Sequence, residues 1–286
     1  MRAGRSFSLS PGQANALPVL AFLLIGFAAP LLAVIGFSLM PARTFSLWQE
    51  PTLDNYRTIF EGSNYISFLA SLGFAALTTA LLAVICYPVA YGLVHVAGRW
   101  SMLLLLLFTI PLFVAESVRL YGWVLFFIKS GLLLGSLDSL FGNELESLLF
   151  TPAATLIGMV YIYLPFMLFP MTLGIAMVPS ETREAAYDLG ATRFQVFREV
   201  EIPLAMPGIV IGFLLTFVLA VGAIAEAKVL GGQKVIPIAH DIEIAFTYAQ
   251  NWPLGAALSV LLSVVVGVAV IAVLSRFDLD AILGRR

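Results

Sequence analysis

The chain has 286 residues, 60% of them hydrophobic and only 11% charged, whereas soluble domains carry about 25% charge. Its net charge is −2, no basic patch is present, and the mean hydropathy is +1.00. These values exclude a water-soluble enzyme, a nucleic-acid binder and a disordered regulator, and they predict a polytopic α-helical membrane protein.

A crossing helix needs about 20 mostly apolar residues. No Asp, Glu, Lys or Arg occurs in 6–42, 62–98, 147–180, 202–225 or 244–275, and each of these runs holds one predicted span. The first is Ala16–Leu39, whose apolar core is too long for a cleaved signal peptide. The second is Phe68–Gly92. A third is predicted across Met102–Ile128, although its uncharged part stops at Ala115. There Glu116 and Arg119 stand at i,i+3 on one helical face, deep in the span or at its outer end, where they can pair. The fourth, fifth and sixth spans are Ala153–Met177, Pro207–Ala225 and Leu254–Ser275. Pro30, Pro88, Pro111, Pro165 and Pro170 fall inside spans and predict kinks. Small residues four apart, Gly208/Gly212 and Ser259/Ser263/Gly267, favour close helix packing.

With the N-terminus inside, nine Lys and Arg lie on the inner side and six on the outer. Arg2 and Arg5 beside the first span agree with that orientation, which puts both termini in the cytoplasm. Catalytic constellations are missing. The two histidines, His95 and His240, fall in loops on opposite sides, and no Cys/His cluster offers a metal site. The lone Cys86 allows no internal disulfide. Gly231-Gly232-Gln233-Lys234 lacks the phosphate-loop spacing and reads as a turn. An intramembrane enzyme needs a nucleophile and a base at one depth, and no such pair stands out.

The longest inner loop, 179–206, is the most informative segment. Its charges interleave with Ala185, Ala186, Leu189, Phe194, Phe197 and Val200 at helical spacing. Pro179-Ser180 predicts a helix start, Gly190 a stop, Thr192 the cap of a second short helix, and Pro203 and Pro207 its end before the membrane. Two short amphipathic helices hinged at a glycine form a knob. Acids outnumber bases in it, which disfavours anionic lipid and favours a groove on a soluble protein.

Glu184-Ala185-Ala186, then Gly190, then Val200-Glu201-Ile202-Pro203 reproduces the spacing E-A-A-x3-G-x9-I-x-L-P, with Val for Ile and Ile for Leu. This resembles the EAA loop of binding-protein-dependent ABC importer permeases. Val118–Trp123, Thr151-Pro152, Leu230-Gly231-Gly232 and Asn251–Gly255 are similar to the spermidine/putrescine-type branch. The resemblance implies an all-α membrane protein, a type I importer permease bundle of six transmembrane helices in a bacterial inner membrane. Residues 1–66 would form a cytoplasmic tail, the first helix and an outer loop, and 67–286 the five-helix core. It further implies a separate ATPase pair that holds ATP and Mg, a second permease (more often a sister than a copy), and a periplasmic binding protein. This chain would then carry no cofactor and no catalysis. Glu184, Ala185, Ala186, Asp188, Gly190 and Pro203 would belong to the coupling helix and its flanks, seated in an ATPase groove.

Ionisable residues at membrane depth cost about 2.5–3.5 kcal/mol each on insertion scales and are functional candidates. Here they are Glu116, Arg119, Glu226 and Lys228, with Tyr121 and Trp123 as cation–π partners for an ammonium group. The plainer alternative is that Glu116 and Arg119 satisfy each other and that Glu226 sits at a wetted span end beside Lys228. Lys228 and Glu116 depart from the polyamine pattern. A lysine on the path would repel a polycation and suit an anionic or zwitterionic solute, such as an amino-acid conjugate or a phosphonate. A self-contained channel or ion-coupled carrier is the rival of a different class, and the EAA spacing argues against it.

Overall fold

The computed structural model describes residues 18–141, 146–232 and 234–277. The basic N-terminal residues Arg2 and Arg5, the start of the predicted first span, Gln233 and the last nine residues lie outside it. Among the described residues the chain is helical, with no strand. Twelve helices follow in order: α1 Pro18–Ser38, α2 Asp54–Glu61, α3 Asn64–His95, α4 Gly98–Phe113, α5 Glu116–Phe127, α6 Leu132–Phe141, α7 Pro152–Ala176, α8 Ser180–Asp188, α9 Arg193–Val221, α10 Ala225–Val229, α11 Ile238–Thr247 and α12 Trp252–Leu274. Six stretches are long and apolar enough to cross a membrane: α1, α3, Glu116–Ser136, α7, α9 and α12.

Two expectations about the spans are corrected. The predicted third span does not run unbroken from Met102 to Ile128. Pro111 sits in a 3₁₀ turn that closes α4, and Val114 and Ala115 are extended (ψ 132° and 138°). A new helix starts at Glu116, an acidic residue in the first turn, where negative charge suits the helix dipole. The crossing stretch is therefore Glu116–Ser136, made of α5 and the start of α6 joined by a turn at Ile128–Gly131, with the shorter apolar α4 before it. Nor do Pro203 and Pro207 end a helix: helical structure continues from Arg193 to Val221. The chain makes this possible with a π turn at Phe197–Glu201, in which the Ile202 N–H bonds to the Phe197 carbonyl. Pro203 then occupies the first turn of the following α-helical part, where a missing N–H leaves little unsatisfied.

The described residues form two compact units, one from the segment up to Gly62 with Ile242–Val264, the other from Ser63–Asp241 and the segment from Val265. In the first unit, Asn55 donates to the Ser38 and Met40 carbonyls at 3.1 and 2.7 Å, closing the end of α1, and the Tyr56 hydroxyl reaches Ser38 Oγ at 2.9 Å. Trp252 meets Phe37, Phe45 and Phe246 edge-on at 6.1, 5.6 and 6.0 Å, and Asn251 Oδ1 accepts the Arg43 backbone N–H. The Asn251–Gly255 motif thus clamps an aromatic corner.

The second unit is built on α7, which packs against both α3 and α9. Thr151 caps α7 by accepting the Ala154 N–H at 3.1 Å, with Pro152 at its start. The close approach of α7 and α9 depends on glycine: a Cβ on Gly174 would lie 2.8 Å from both the Ala205 carbonyl oxygen and Gly208 Cα. Beyond α9 the short α10 lies against α5 and α7. It is held there by the Phe150 N–H on the Leu230 carbonyl and by the Ile238 N–H on Ser71 Oγ, both at 2.8 Å.

Candidate functional site

Two groups of charged side chains are drawn inside the second unit, each assembled from several helices. The first forms where α10 meets α5 and α7. Glu226 has zero exposure, and neither carboxylate oxygen has a hydrogen-bond partner among the described residues. Tyr163, from the middle of α7, is 7% exposed and turns its hydroxyl toward that carboxylate outside full hydrogen-bond geometry, while Glu116 and Arg119 of α5 act on it through their charge. Burial, more than any neighbouring charge, pushes the Glu226 carboxyl above the usual carboxylate range. Arg119 lies over the Tyr161 ring with its guanidinium carbon 6.0 Å from the centroid, and its buried Nε and Nη1 lack hydrogen-bond partners among the described residues. Trp123 stands edge-on to the same Tyr161 ring at 5.5 Å and leans on Phe127 at 5.1 Å.

Of the six residues expected on the path, Glu116, Arg119, Trp123 and Glu226 come together. Tyr121 is 60% exposed and turns away from them. Lys228 is exposed, two residues and about 200° round α10 from Glu226, and it borders a separate cavity of about 170 Å³ with Pro237 and His240. The plainer alternative meets two differences. No ion pair joins Glu116 to Arg119 among the described residues, and Glu226 is buried, not at a wetted span end. Sequence reasoning missed Tyr161 and Tyr163. Their signal was available: two phenols in the centre of an uncharged span, where each hydroxyl must find a polar neighbour.

The second group joins the 179–206 loop to α3. After Pro179 the chain enters α8, which ends at Gly190 (φ +83°), a left-handed position that a side chain would strain. The Ala191 N–H returns to the Ala186 carbonyl at 3.0 Å. Thr192 and Gln195 then form a reciprocal capping box: Thr192 Oγ1 accepts the Gln195 N–H at 3.3 Å, and Gln195 Oε1 accepts the Thr192 N–H at 2.8 Å. The resulting knob leaves Leu189 89% exposed and Phe194 67% exposed, with Glu184, Ala185 and Asp188 also exposed, Ala186 half-buried and Pro203 exposed on α9. Beneath it, Arg183 of α8 pairs with the buried Glu201 at 3.6 Å, and its Nη1 lies 3.0 and 3.1 Å from the His95 ring nitrogens at the end of α3. Tyr87, Tyr91 and His95 recur every four residues and so share one face of α3. With Tyr187, Arg193, Phe197 and Glu201, the two tyrosines line a cleft of about 780 Å³.

Among the described residues no group of three His, Cys, Asp or Glu is placed to hold a metal ion. The arrangement offers one buried carboxylate with aromatic walls, and one amphipathic knob joined to α9 by a half-buried ion pair and to α3 through His95.

Comparison with known proteins agrees with this architecture. Residues 96–278 match the family described as the binding-protein-dependent transport system inner membrane component. The chain is 34% identical over 256 residues to the spermidine/putrescine transport system permease protein PotB of Escherichia coli, covering 87% of this chain and 91% of that one. It is 32% identical to the protein of the same name from Haemophilus influenzae, covering 88% and 89%. The structure of a bacterial ABC transporter that imports the acidic polysaccharide alginate superimposes with a TM-score of 0.73 over 92% of this chain and 93% of that chain, at 16% identity, which shows a shared fold. Six apolar stretches, the EAA spacing on a knob between the fourth and fifth, and relatives matched along most of their length lead to one conclusion: the chain belongs to the binding-protein-dependent transport system inner membrane components, as a multi-pass permease subunit of an ABC importer whose ATPase is a separate protein.

Proposed function

We propose that this permease conducts a small amine-bearing solute of the polyamine class and that Glu226 receives its ammonium group on the way. The observation that carries the reading is a carboxylate at zero exposure without a partner among the described residues. Such a group is costly in a membrane interior, and an arriving ammonium supplies the missing partner. Tyr161, Tyr163 and Trp123 add aromatic faces beside it. Both relatives, named as spermidine/putrescine transport system permeases, support the same class. A second reading rests on Arg119, whose buried Nε and Nη1 lack partners close to that carboxylate. A zwitterion, with its ammonium toward Glu226 and its carboxylate toward Arg119, would satisfy both.

In this reading α8 is the coupling helix: Glu184, Ala185, Ala186 and Asp188 seat in a groove of the ATPase, and Gly190 and Pro203 fix its exits. The knob and both termini face the cytoplasm. Two ATPase copies hold ATP and Mg, a sister permease completes the path, and a periplasmic binding protein delivers the solute. This chain carries no cofactor. Packed helices switch between discrete arrangements, so a small push on the knob becomes a rocking of the spans.

The test is the purified importer in liposomes with its binding protein, assayed for ATP hydrolysis and uptake of spermidine, putrescine and a zwitterionic amino compound. Stimulation by a polyamine, lowered at least about tenfold in Glu226→Gln, is the expected result. Stimulation by the zwitterion alone, lost in Arg119→Gln, selects the second reading. Stimulation by neither overturns both.

A further inference from the structure

We propose that Arg183 is the positioning residue that carries movement of α8 into the second and fifth spans, α3 and α9. The proposal rests on the reading of α8 as the coupling helix and adds the link through which it acts. A knob capped by Gly190 and Thr192 is rigid in itself, but α8 buries no residue completely and so has a weak apolar grip on the spans. A helix that is pushed without being gripped slides over the bundle and does not turn it.

Arg183 supplies the grip. Its Nη1 lies 3.6 Å from Glu201 Oε1 and 3.0 Å from His95 Nε2, so that one nitrogen sits between the carboxylate and the ring. Glu201 is 4% exposed and is the last residue of the π turn, where α9 has an extra residue in its coil and the least regular hydrogen bonding of that span. His95 is the last residue of α3 and stacks edge-on with Tyr91 at 4.5 Å. The Tyr91 hydroxyl in turn lies against Glu201. One side chain of α8 therefore bridges the end of one span to a deformable turn of another. The surrounding cleft of about 780 Å³, walled by Tyr87, Tyr91, Tyr187 and Phe197, gives the ends of these helices room to move relative to each other. Arg suits the task because its charge is permanent and its planar guanidinium packs on an aromatic ring while facing a carboxylate, whereas a lysine ammonium is a compact, strongly hydrated point.

The experiment compares uptake per ATP hydrolysed in the complete reconstituted importer for wild type, Arg183→Ala, Arg183→Lys, Glu201→Gln, the exchange Arg183→Glu with Glu201→Arg, and Glu184→Lys. Membrane level and elution profile of each variant are recorded alongside. In Arg183→Ala and Glu201→Gln the ratio is expected to fall roughly tenfold, within the range of measured coupling free energies. Arg183→Lys recovers part of it and the exchange most of it. Glu184→Lys, which alters the surface facing the ATPase and leaves the bridge intact, tests the reading underneath. If Glu184→Lys lowers transport while Arg183→Ala keeps the wild-type ratio, the bridge is overturned and the coupling helix stands. Normal transport in Glu184→Lys overturns the coupling helix itself. If Arg183→Ala fails to reach the membrane, the ratio is read from Glu201→Gln and the exchange, and an exchange no better than Glu201→Gln also overturns the proposal.

Discussion

Glu201 and Glu226 are both carboxylates nearly or fully withdrawn from solvent, at 4% and 0% exposure, yet they are held in opposite ways. Glu201 has Arg183 at 3.6 Å, with Tyr91 against it, on the path from α8 to α3. Glu226 has no hydrogen-bond partner among the described residues, and Arg119 keeps its guanidinium over Tyr161 without bonding through Nε or Nη1. A buried charge with a partner holds two elements in register. A buried charge without one is a standing cost that the fold carries for something that arrives later. In the proposed reading the same residue type serves as a mechanical link at one site and as a receptor at the other.

The most severe way to break the contrast is Arg183→Glu, which sets a second carboxylate against Glu201. Removing one partner of a buried pair costs about 3–5 kcal/mol, and here a like charge replaces it. We expect the purified permease to lose thermal stability sharply and uptake to vanish. Unchanged melting would mean that the pair is solvated.

Neutralising each acid in turn separates the two sites by sign. Glu201→Gln removes a partner and should lower the melting temperature, by an amount equivalent to roughly 1–3 kcal/mol. Glu226→Gln removes an uncompensated charge and should leave the melting temperature unchanged or raise it, while uptake falls. Equal destabilisation by both substitutions would place Glu226 among structural residues.

A smaller effect sharpens the same point through pH. The folded-state pKa of Glu226 is raised by burial, so the fold favours its neutral form over its ionised form. Its contribution to stability is full below the ordinary carboxylate pKa and is lost as pH rises through the raised folded value. Thermal melts from acidic to neutral pH should show this decline in wild type and a flatter profile in Glu226→Gln. Parallel profiles would count against the site. The smallest expected change lies in the knob: Thr192→Ala removes half of the capping box and should cost about 1 kcal/mol, with transport lowered only mildly.

Five of the six crossing segments were legible from uncharged apolar runs, because a helix in lipid must be apolar along its whole length whatever its neighbours are. The third was placed too early. Apolar content alone reads through Pro111 to Ile128, and only the backbone shows the extended step at Val114 and Ala115 that moves the crossing to Glu116–Ser136. The knob was legible for a different reason: Pro179, Gly190, Thr192 and Gln195 act through hydrogen bonds spanning a few residues, and those depend on spacing in the chain. The continuation of α9 through Pro203 and Pro207 was not legible, since the π turn that permits it has no fixed sequence mark.

The sequence by itself determined the membrane class, the number of crossing helices, the caps of the 179–206 knob and the EAA spacing, all of which follow from local composition and short-range hydrogen bonding. The tertiary structure alone decided which charges pair. Glu116 and Arg119 are one turn apart and do not bond, whereas Arg183 finds Glu201 and His95 across 18 and 88 residues of chain. Tyr161 and Tyr163 likewise take on meaning when α7 brings them against α5 and α10. The strength of an ion pair depends on distance and burial, and both are set by how the helices pack after each has formed.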